Sequence, residues 1–433
     1  MLSILQTFGR VLWRHWPALL AWALIGELGS YAAIEISGFV GAYTSVGGLL
    51  LLPLAVLVRL VSFVAMFLVI RDALQNLQAL APVPASPAER RRTFVDALLL
   101  SILPFFAVYA AWGMLRDDVT AYSERALEVR QGLRFESILN GSTLAEDAVT
   151  NIAFSPLTVS IVLVAFSARW LVKRFAERLP KIAAVISVYL EAAWVFFTAF
   201  FVSNAIGSVT GWIDSRVATQ WLADARQWFS DQLVPVAWIW DFVEWALGAI
   251  GGVILEPLAW LAIAGVIYGQ AIAPERLRVK FRSVEAAKGR YERVPEVVRA
   301  RIDDVADDFI GRFRPIGRSL LLMFRSGPLL LAGFVFAHAL LIFVENSIKP
   351  AIVLLFGPQD LYTFWIVADT LIFTLVALLM EPLRVIVVAV FYDATLGGLR
   401  RSVGAEATKA DAAAQPPAAA QPPSPAGPAK DRS

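Results

Sequence analysis

Runs of about 20 apolar residues, the length a helix needs to cross the hydrocarbon layer, recur from one end of this chain to the other. Inside a bilayer each backbone N–H and C=O must find its partner within the segment, so such runs fold as α-helices packed side by side. Hydrophobic residues make up 58% of the chain and charged ones 17%, far from the balance of soluble domains. The fold class that follows is an all-α, polytopic transmembrane helix bundle.

Four of the runs begin alike: "LLPLAVLVRLVSF" at 51–63, "FSPLTVSIVLVAF" at 154–166, "LEPLAWLAIAGVI" at 255–267 and "MEPLRVIVVAVFY" at 380–392. From Pro53 to Arg71, Pro156 to Lys173, Pro257 to Arg276 and Pro382 to Arg400 is 18, 17, 19 and 18 residues. That is a helix of about 27 Å, near one hydrocarbon thickness. Proline suits a first helical turn, where its missing N–H has no intrahelical partner anyway. The acidic residues before two of the prolines, Glu256 and Glu381, read as helix-start carboxylates facing the positive end of the helix dipole. A carboxylate that binds or relays something is the sharper alternative.

Another apolar run precedes each of these helices, at about 16–39, 93–115, 182–206 and 319–344. The chain then reads as about eight spans in four hairpin-like repeats, 1–92, 93–181, 182–318 and 319–403. The stretches 236–254 and 361–379 are apolar enough to enter the bilayer too, as outer parts of kinked helices, surface helices or further spans, which allows nine or ten. The N-terminal run is too long for a signal peptide and carries Glu27 and Glu35, so it reads as a retained first span.

With both termini placed inside, the inner segments hold 28 Lys and Arg and the outer loops hold 7. This is the bias of the positive-inside rule, and it predicts cytoplasmic termini. Arginine far outnumbers lysine amid abundant Ala, Val and Leu, a composition that suits a bacterial cytoplasmic (inner) membrane protein. The transmembrane domain covers 1–403; the Ala/Pro-rich tail 404–433 has too few bulky residues to fold and is expected to be disordered.

The intramembrane ionisable residues are the leading site candidates, because a charge at that depth is costly. Glu27 lies 13 residues past Arg14 and Arg59 lies 12 before Arg71, so both sit about 18–20 Å deep and can pair across antiparallel neighbours. Glu191, ten residues past Lys181, sits about 15 Å deep. A buried pair that fixes helix register is the plain reading of these residues; a polar pathway between repeats is the functional one.

Two further segments stand out. The cytoplasmic loop 274–318 has 12 basic and 8 acidic residues and reads as an amphipathic hairpin that lies on the inner face or docks a protein partner or anionic headgroups. The outer segment 212–245 holds six of the fourteen tryptophans: Trp212, Trp221, Trp228, Trp238, Trp240 and Trp245. It reads as an interfacial helix, since indole prefers the headgroup layer.

Much chemistry is excluded by composition. There is no cysteine, hence no disulfide, thiolate metal site or cysteine nucleophile. His15 and His338 are the two histidines and are too far apart for a local ligand motif. No phosphate-binding loop, nucleophile elbow or metalloprotease motif is present. The sequence therefore offers no catalytic or metal residue and no cofactor, and nothing points to nucleic acid.

The ending "EPLRVIVVAVFYDATLGGLRR" resembles the close of bacterial multi-pass modules related to the membrane region of glycerophosphodiester phosphodiesterases, through its proline-headed helix, Tyr392, Asp393 and Arg400. The resemblance covers some twenty residues and implies a membrane module without the hydrolase. Two functions then compete: transport or lipid handling, with a lipid or small-molecule substrate near Glu27, Arg59 and Glu191, and a non-catalytic scaffold acting through 274–318 and the tail. An intramembrane enzyme ranks third.

Overall fold

A computed structural model describes residues 2–141, 160, 163–168, 171, 183–232, 234–269 and 327–414. Among them the chain is helical throughout its long elements, and seven helices are long and apolar enough to cross a membrane: Ser3–Tyr43, Ser45–Ala73, Pro87–Ala111, Val185–Asp214, Gly251–Gly269, Pro328–Phe356 and Leu361–Gly398. The span headed by Pro156 lies mostly outside the described residues, as does the loop 274–318.

In chain order the helices are α1 (Leu2–Tyr43), α2 (Ser45–Leu51), α3 (Pro53–Val69), α4 (Gln75–Leu80), α5 (Pro87–Ala111) and α6 (Met114–Leu139), then α7 (Ala183–Asp214), α8 (Val217–Gln232), α9 (Val234–Ala249), α10 (Glu256–Gly269), α11 (Pro328–Phe356) and α12 (Ile366–Ala414). Helices α1 and α3 pack as the first expected hairpin, and α11 and α12 as the last. The third does not close in that way: α7 packs chiefly on α5 and α3, and α10 on α5 and α12.

The close approach of α1 and α3 depends on two glycines. A Cβ on Gly26 would lie 2.7 Å from the Ser62 side chain, and one on Gly29 would lie 2.6 Å from Val58. Small residues at such contacts let helices in lipid gain dispersion energy that a hydrophobic effect cannot supply there.

The main core is built from α1, α3, α5, α10 and α12, with Phe63, Phe67, Phe105, Phe106, Trp260 and Val385–Phe391 buried together. A separate small core joins Ile372, Val376 and Met380 of α12 to Val344, Ile348 and Ile352 of α11. Facing outward along the same helices are large apolar side chains such as Leu28, Phe336 and Leu371, the surface a bilayer would cover.

Pro53 does head its helix. Pro257 follows a π-helical turn, Ile250–Leu255, that continues from α9, so Glu256 opens only the α-helical part of a longer bent rod. Pro382 lies in the interior of α12, and Glu381 is not a helix-start carboxylate. The actual start is Asp360, whose carboxylate accepts from the N–H groups of Tyr362 at 3.1 Å and Thr363 at 2.8 Å. An interior proline is tolerated in membrane helices because neighbouring elements satisfy the freed backbone groups. The apolar stretches before both prolines thus run on as helix into the segments that follow them. At the other end α12 runs on to Ala414, into the segment expected to be disordered; the residues after it lie outside the described part.

One end of the bundle, the basic face, is knitted by polar contacts. Arg14 and His15 of α1 meet Asp72 at 3.3 and 3.1 Å. Arg71 donates to the carbonyls of Ala81 and Pro82 at 2.9 and 3.2 Å. Asp393 of α12 accepts from the Leu77 N–H at 2.8 Å and from Asn76 Nδ2 at 3.0 Å, so it caps the first turn of α4 from another helix. Replacing Asp393 with Ala is expected to cost about 1–2 kcal/mol and Asp393→Asn less, as read from thermal unfolding in detergent micelles.

Candidate functional site

Arg59 sits in the middle of α3 with its side chain 20% exposed. A guanidinium cannot shed its charge, so at bilayer depth it must gather acceptors. Three helices supply them. Nη2 of Arg59 lies 3.8 Å from Glu27 Oε2 and donates to Ser30 Oγ at 3.2 Å, both on α1. Nη1 donates to the hydroxyl of Tyr109 on α5 and lies 3.8 Å from Asp118 Oδ1 on α6. Tyr109 in turn donates to Asp118 Oδ2 at 2.7 Å. The pairing of Glu27 with Arg59 expected from their depth is present.

The network continues into the last hairpin. The Glu381 carboxyl of α12 lies within electrostatic reach of Glu27, Arg59 and Arg384. Arg384, three residues on, donates to Glu345 Oε2 of α11 at 2.9 Å and lies over the Trp260 ring of α10. Glu345 Oε1 accepts from Lys349 at 3.3 Å. Charged side chains from α1, α3, α6, α11 and α12, with the α5 tyrosine, thus form a band of two clusters, one around Arg59 and one around Glu345, with Glu381 within electrostatic reach of both arginines. A separate pair lies beside it: His338 of α11, fully buried, has Nε2 3.6 Å from Glu256 Oε1 of α10, and neither ring nitrogen makes a hydrogen bond.

Toward the basic face the band ends abruptly. Val385–Phe391 of α12 carries no polar side chain and is buried against Phe63, Trp260 and Ile263. Toward the far face it opens onto α6, a strongly charged helix that packs along the C-terminal half of α1. There Arg125 Nε meets Glu35 Oε2 at 2.7 Å, and Gly38 and Gly41 leave room for Arg125 and Tyr122. The charged side chains are thus bordered by an apolar layer on one side and by the charged helix α6 on the other.

Sequence reasoning reached Glu27 and Arg59 and, as helix starts, Glu256 and Glu381. Glu191 of α7 is buried at 8% exposure but is not among the groups that face Arg59. Asp118, Tyr109, Arg384, Glu345 and Lys349 were missed. The signal for Arg384 was there, since it is a charge inside a span. Asp118 gave none, because "MLRDDVTAYSERALEVR" reads as an ordinary charged loop.

The tryptophan segment forms two helices, α8 and α9, packed on each other. Trp221, Trp228, Trp238 and Trp245 are 58–76% exposed, and Arg226 lies 5.3 Å from the Trp240 ring centre. Behind α5, on the face away from Arg59, an apolar groove of about 520 Å³ runs between α5 and α7, lined by Leu103, Ala107, Ala110, Trp194, Val202 and Ile206 among others. Tyr392 and Asp393, which carry the likeness to the diesterase membrane modules, take part in packing here: Tyr392 lies against Tyr268 and Asp393 caps α4. Comparison with protein-family models, with curated proteins and with solved structures found no match to the chain.

Among the described residues, Arg59 is the cation that meets both Glu27 and Asp118. Removing one partner of a buried ion pair leaves the other charge uncompensated, at about 3–5 kcal/mol. Arg59→Ala is therefore expected to lower stability by about that amount. Arg59→Lys, which keeps the charge, should cost clearly less. Unfolding of the purified variants in one detergent reads the difference directly.

Proposed function

We propose that this chain is a transport protein of the bacterial inner membrane, with both termini cytoplasmic, and that the band around Arg59 is where a small polar solute passes or binds. The observation that carries the reading is the convergence of charges from five helices at bilayer depth. Register can be fixed by one pair. A band that recruits two arginines, a lysine and four carboxyls exceeds that need, and intramembrane charges line paths and sites as a rule. The excess of Lys and Arg in the segments next to the basic face supports that orientation.

The apolar groove between α5 and α7 favours a second reading, lipid handling. It has the lining of an acyl-chain site, and it shares α5 with the charged band. An amphiphile with its headgroup at Arg59 and its chain beyond α5 would use both.

The absence of cysteine makes the test clean. A single Ser30→Cys substitution places a thiol in the band with no background. A membrane-impermeant thiol reagent applied to right-side-out and to inverted vesicles is expected to label it from the far face, and also from the basic face as the bundle alternates. A thiol reactive only after denaturation would sink both readings and leave the charges as structural pairs.

A further inference from the structure

His338 of α11 is fully buried, and among the described residues neither Nδ1 nor Nε2 of its ring makes a hydrogen bond. A neutral imidazole has one N–H donor and one acceptor nitrogen, so the ring is buried with both unmet. Buried polar atoms in native interiors are satisfied as a rule, and an exception calls for a reason. One group is placed to answer the ring: the Glu256 carboxylate of α10, whose Oε1 lies 3.6 Å from Nε2. That separation is just beyond a hydrogen bond. The two side chains differ in access, since that of Glu256 is 20% exposed and that of His338 is closed off.

We propose that His338 and Glu256 form a proton-binding site across the α10–α11 contact, reached through Glu256. Without the proton, an ionised carboxylate lies beside a neutral ring and the pair carries one negative charge. The added proton goes to Nε2, since imidazole is more basic than a carboxylate, while the ring's own hydrogen stays on Nδ1. The pair is then an imidazolium and a carboxylate, neutral overall, with Nε2 donating to Oε1. A charge-assisted bond of this kind closes to about 2.7–2.9 Å. Taking up the proton therefore draws α10 and α11 together at this point, and releasing it parts them.

The surroundings leave the proton to these two groups. Phe334 packs on Phe391 and Glu345 pairs with Arg384, so His338 meets α12 between those contacts, along Val385–Val390, which has no titratable side chain. Arg384 and Glu381 lie beyond the end of that stretch; Arg384 is engaged with Glu345, which also holds Lys349. The π-helical turn Ile250–Leu255, which packs on α11 as well, has no titratable side chain either. On α10 the other such group is Tyr268, turned to Phe67 and Tyr392. Glu256 stands where the π-helical turn passes into α10, directly before Pro257. Such turns recur at functional sites, and an irregular backbone lets the carboxylate follow the proton. The site rests on this geometry alone; a role in coupling transport to protons rests on the transport reading.

The chain has two histidines, so magnetic resonance of the full-length protein in lipid nanodiscs, with its histidine nitrogens isotopically labelled, reads the site directly; His15→Gln removes the other ring. Between about pH 5 and 9 the His338 ring is expected to pass reversibly from two protonated nitrogens to one. The acidic sample should also show a through-space contact from the protonated Nε2 to a glutamate carboxyl carbon, which needs no substitution. In Glu256→Gln the doubly protonated ring should be lost, whereas Glu345→Gln, two turns along α11, should leave it. Thermal unfolding near that of the wild type checks that each variant is folded. A ring that stays neutral throughout in the folded wild type, an acidic sample without the carboxyl contact, or a doubly protonated ring that persists in folded Glu256→Gln overturns the proposal. If the ring behaves as expected but the Ser30→Cys thiol is closed to both faces, the proton site stands and the transport reading falls.

Discussion

Arg59 is a permanent charge placed where water is scarce, and much of the surrounding architecture follows from holding it there. Desolvating a guanidinium costs several kcal/mol unless its donors are met, and no single neighbouring helix offers enough acceptors. Glu27 and Ser30 reach it from α1, Tyr109 from α5 and Asp118 from α6. The two glycines that flank Glu27, Gly26 and Gly29, bring α1 and α3 close enough for the first of these contacts. The turn at Gly113, with φ of 82°, lets α6 start directly after α5, so that Asp118 arrives on the same side as Tyr109. A left-handed φ is readily adopted only by glycine. The charge and the packing therefore constrain each other.

How far the sequence revealed this depends on the distance over which each feature is encoded. The spans were legible because hydropathy is local: α1, α3, α5, α7, α10, α11 and α12 all coincide with apolar runs. The Glu27–Arg59 pair was legible because helical rise converts residue count into depth. Arg14 and Arg71 served as the zero of that scale, and the contact of Arg14 with Asp72 places both at one level. Proline misled, because a proline that starts a helix and one that kinks it share the same local sequence. What separates Pro53 from Pro382 lies upstream: Pro53 follows the short α2, while Pro382 follows an uninterrupted apolar run from Leu361. The contribution of α6 was not legible at all. Its residues look soluble, and only the tertiary fold brings Asp118 to a membrane-embedded arginine.

The core of the bundle and the outer α11–α12 contact are packed differently. Toward the basic face, aromatic rings interlock: Phe63 with Phe105 and Trp260, Phe67 with Tyr268, and Tyr268 with Tyr392. Tyr268 also donates to the Phe67 carbonyl at 2.8 Å, and Asp393 caps α4 beneath them. Rings in edge and tilted contact resist sliding because each fills the hollow of the next. On the other side, the outer halves of α11 and α12 share only the small core of Ile372, Val376 and Met380 with its α11 partners.

That asymmetry tells where motion is cheapest. The hydrogen-bond ladder of α12 is interrupted at Pro382, next to the point where its side chains exchange one core for the other. Across this joint a polar attachment, Arg384 to Glu345, holds α12 to α11. A joint with an interrupted backbone ladder and a small outer core is where a change of helix angle costs least. The interlocked aromatic layer, by contrast, ties α3, α5, α10 and α12 together on the other side of Pro382, so the two halves of α12 are held by very different amounts of packing.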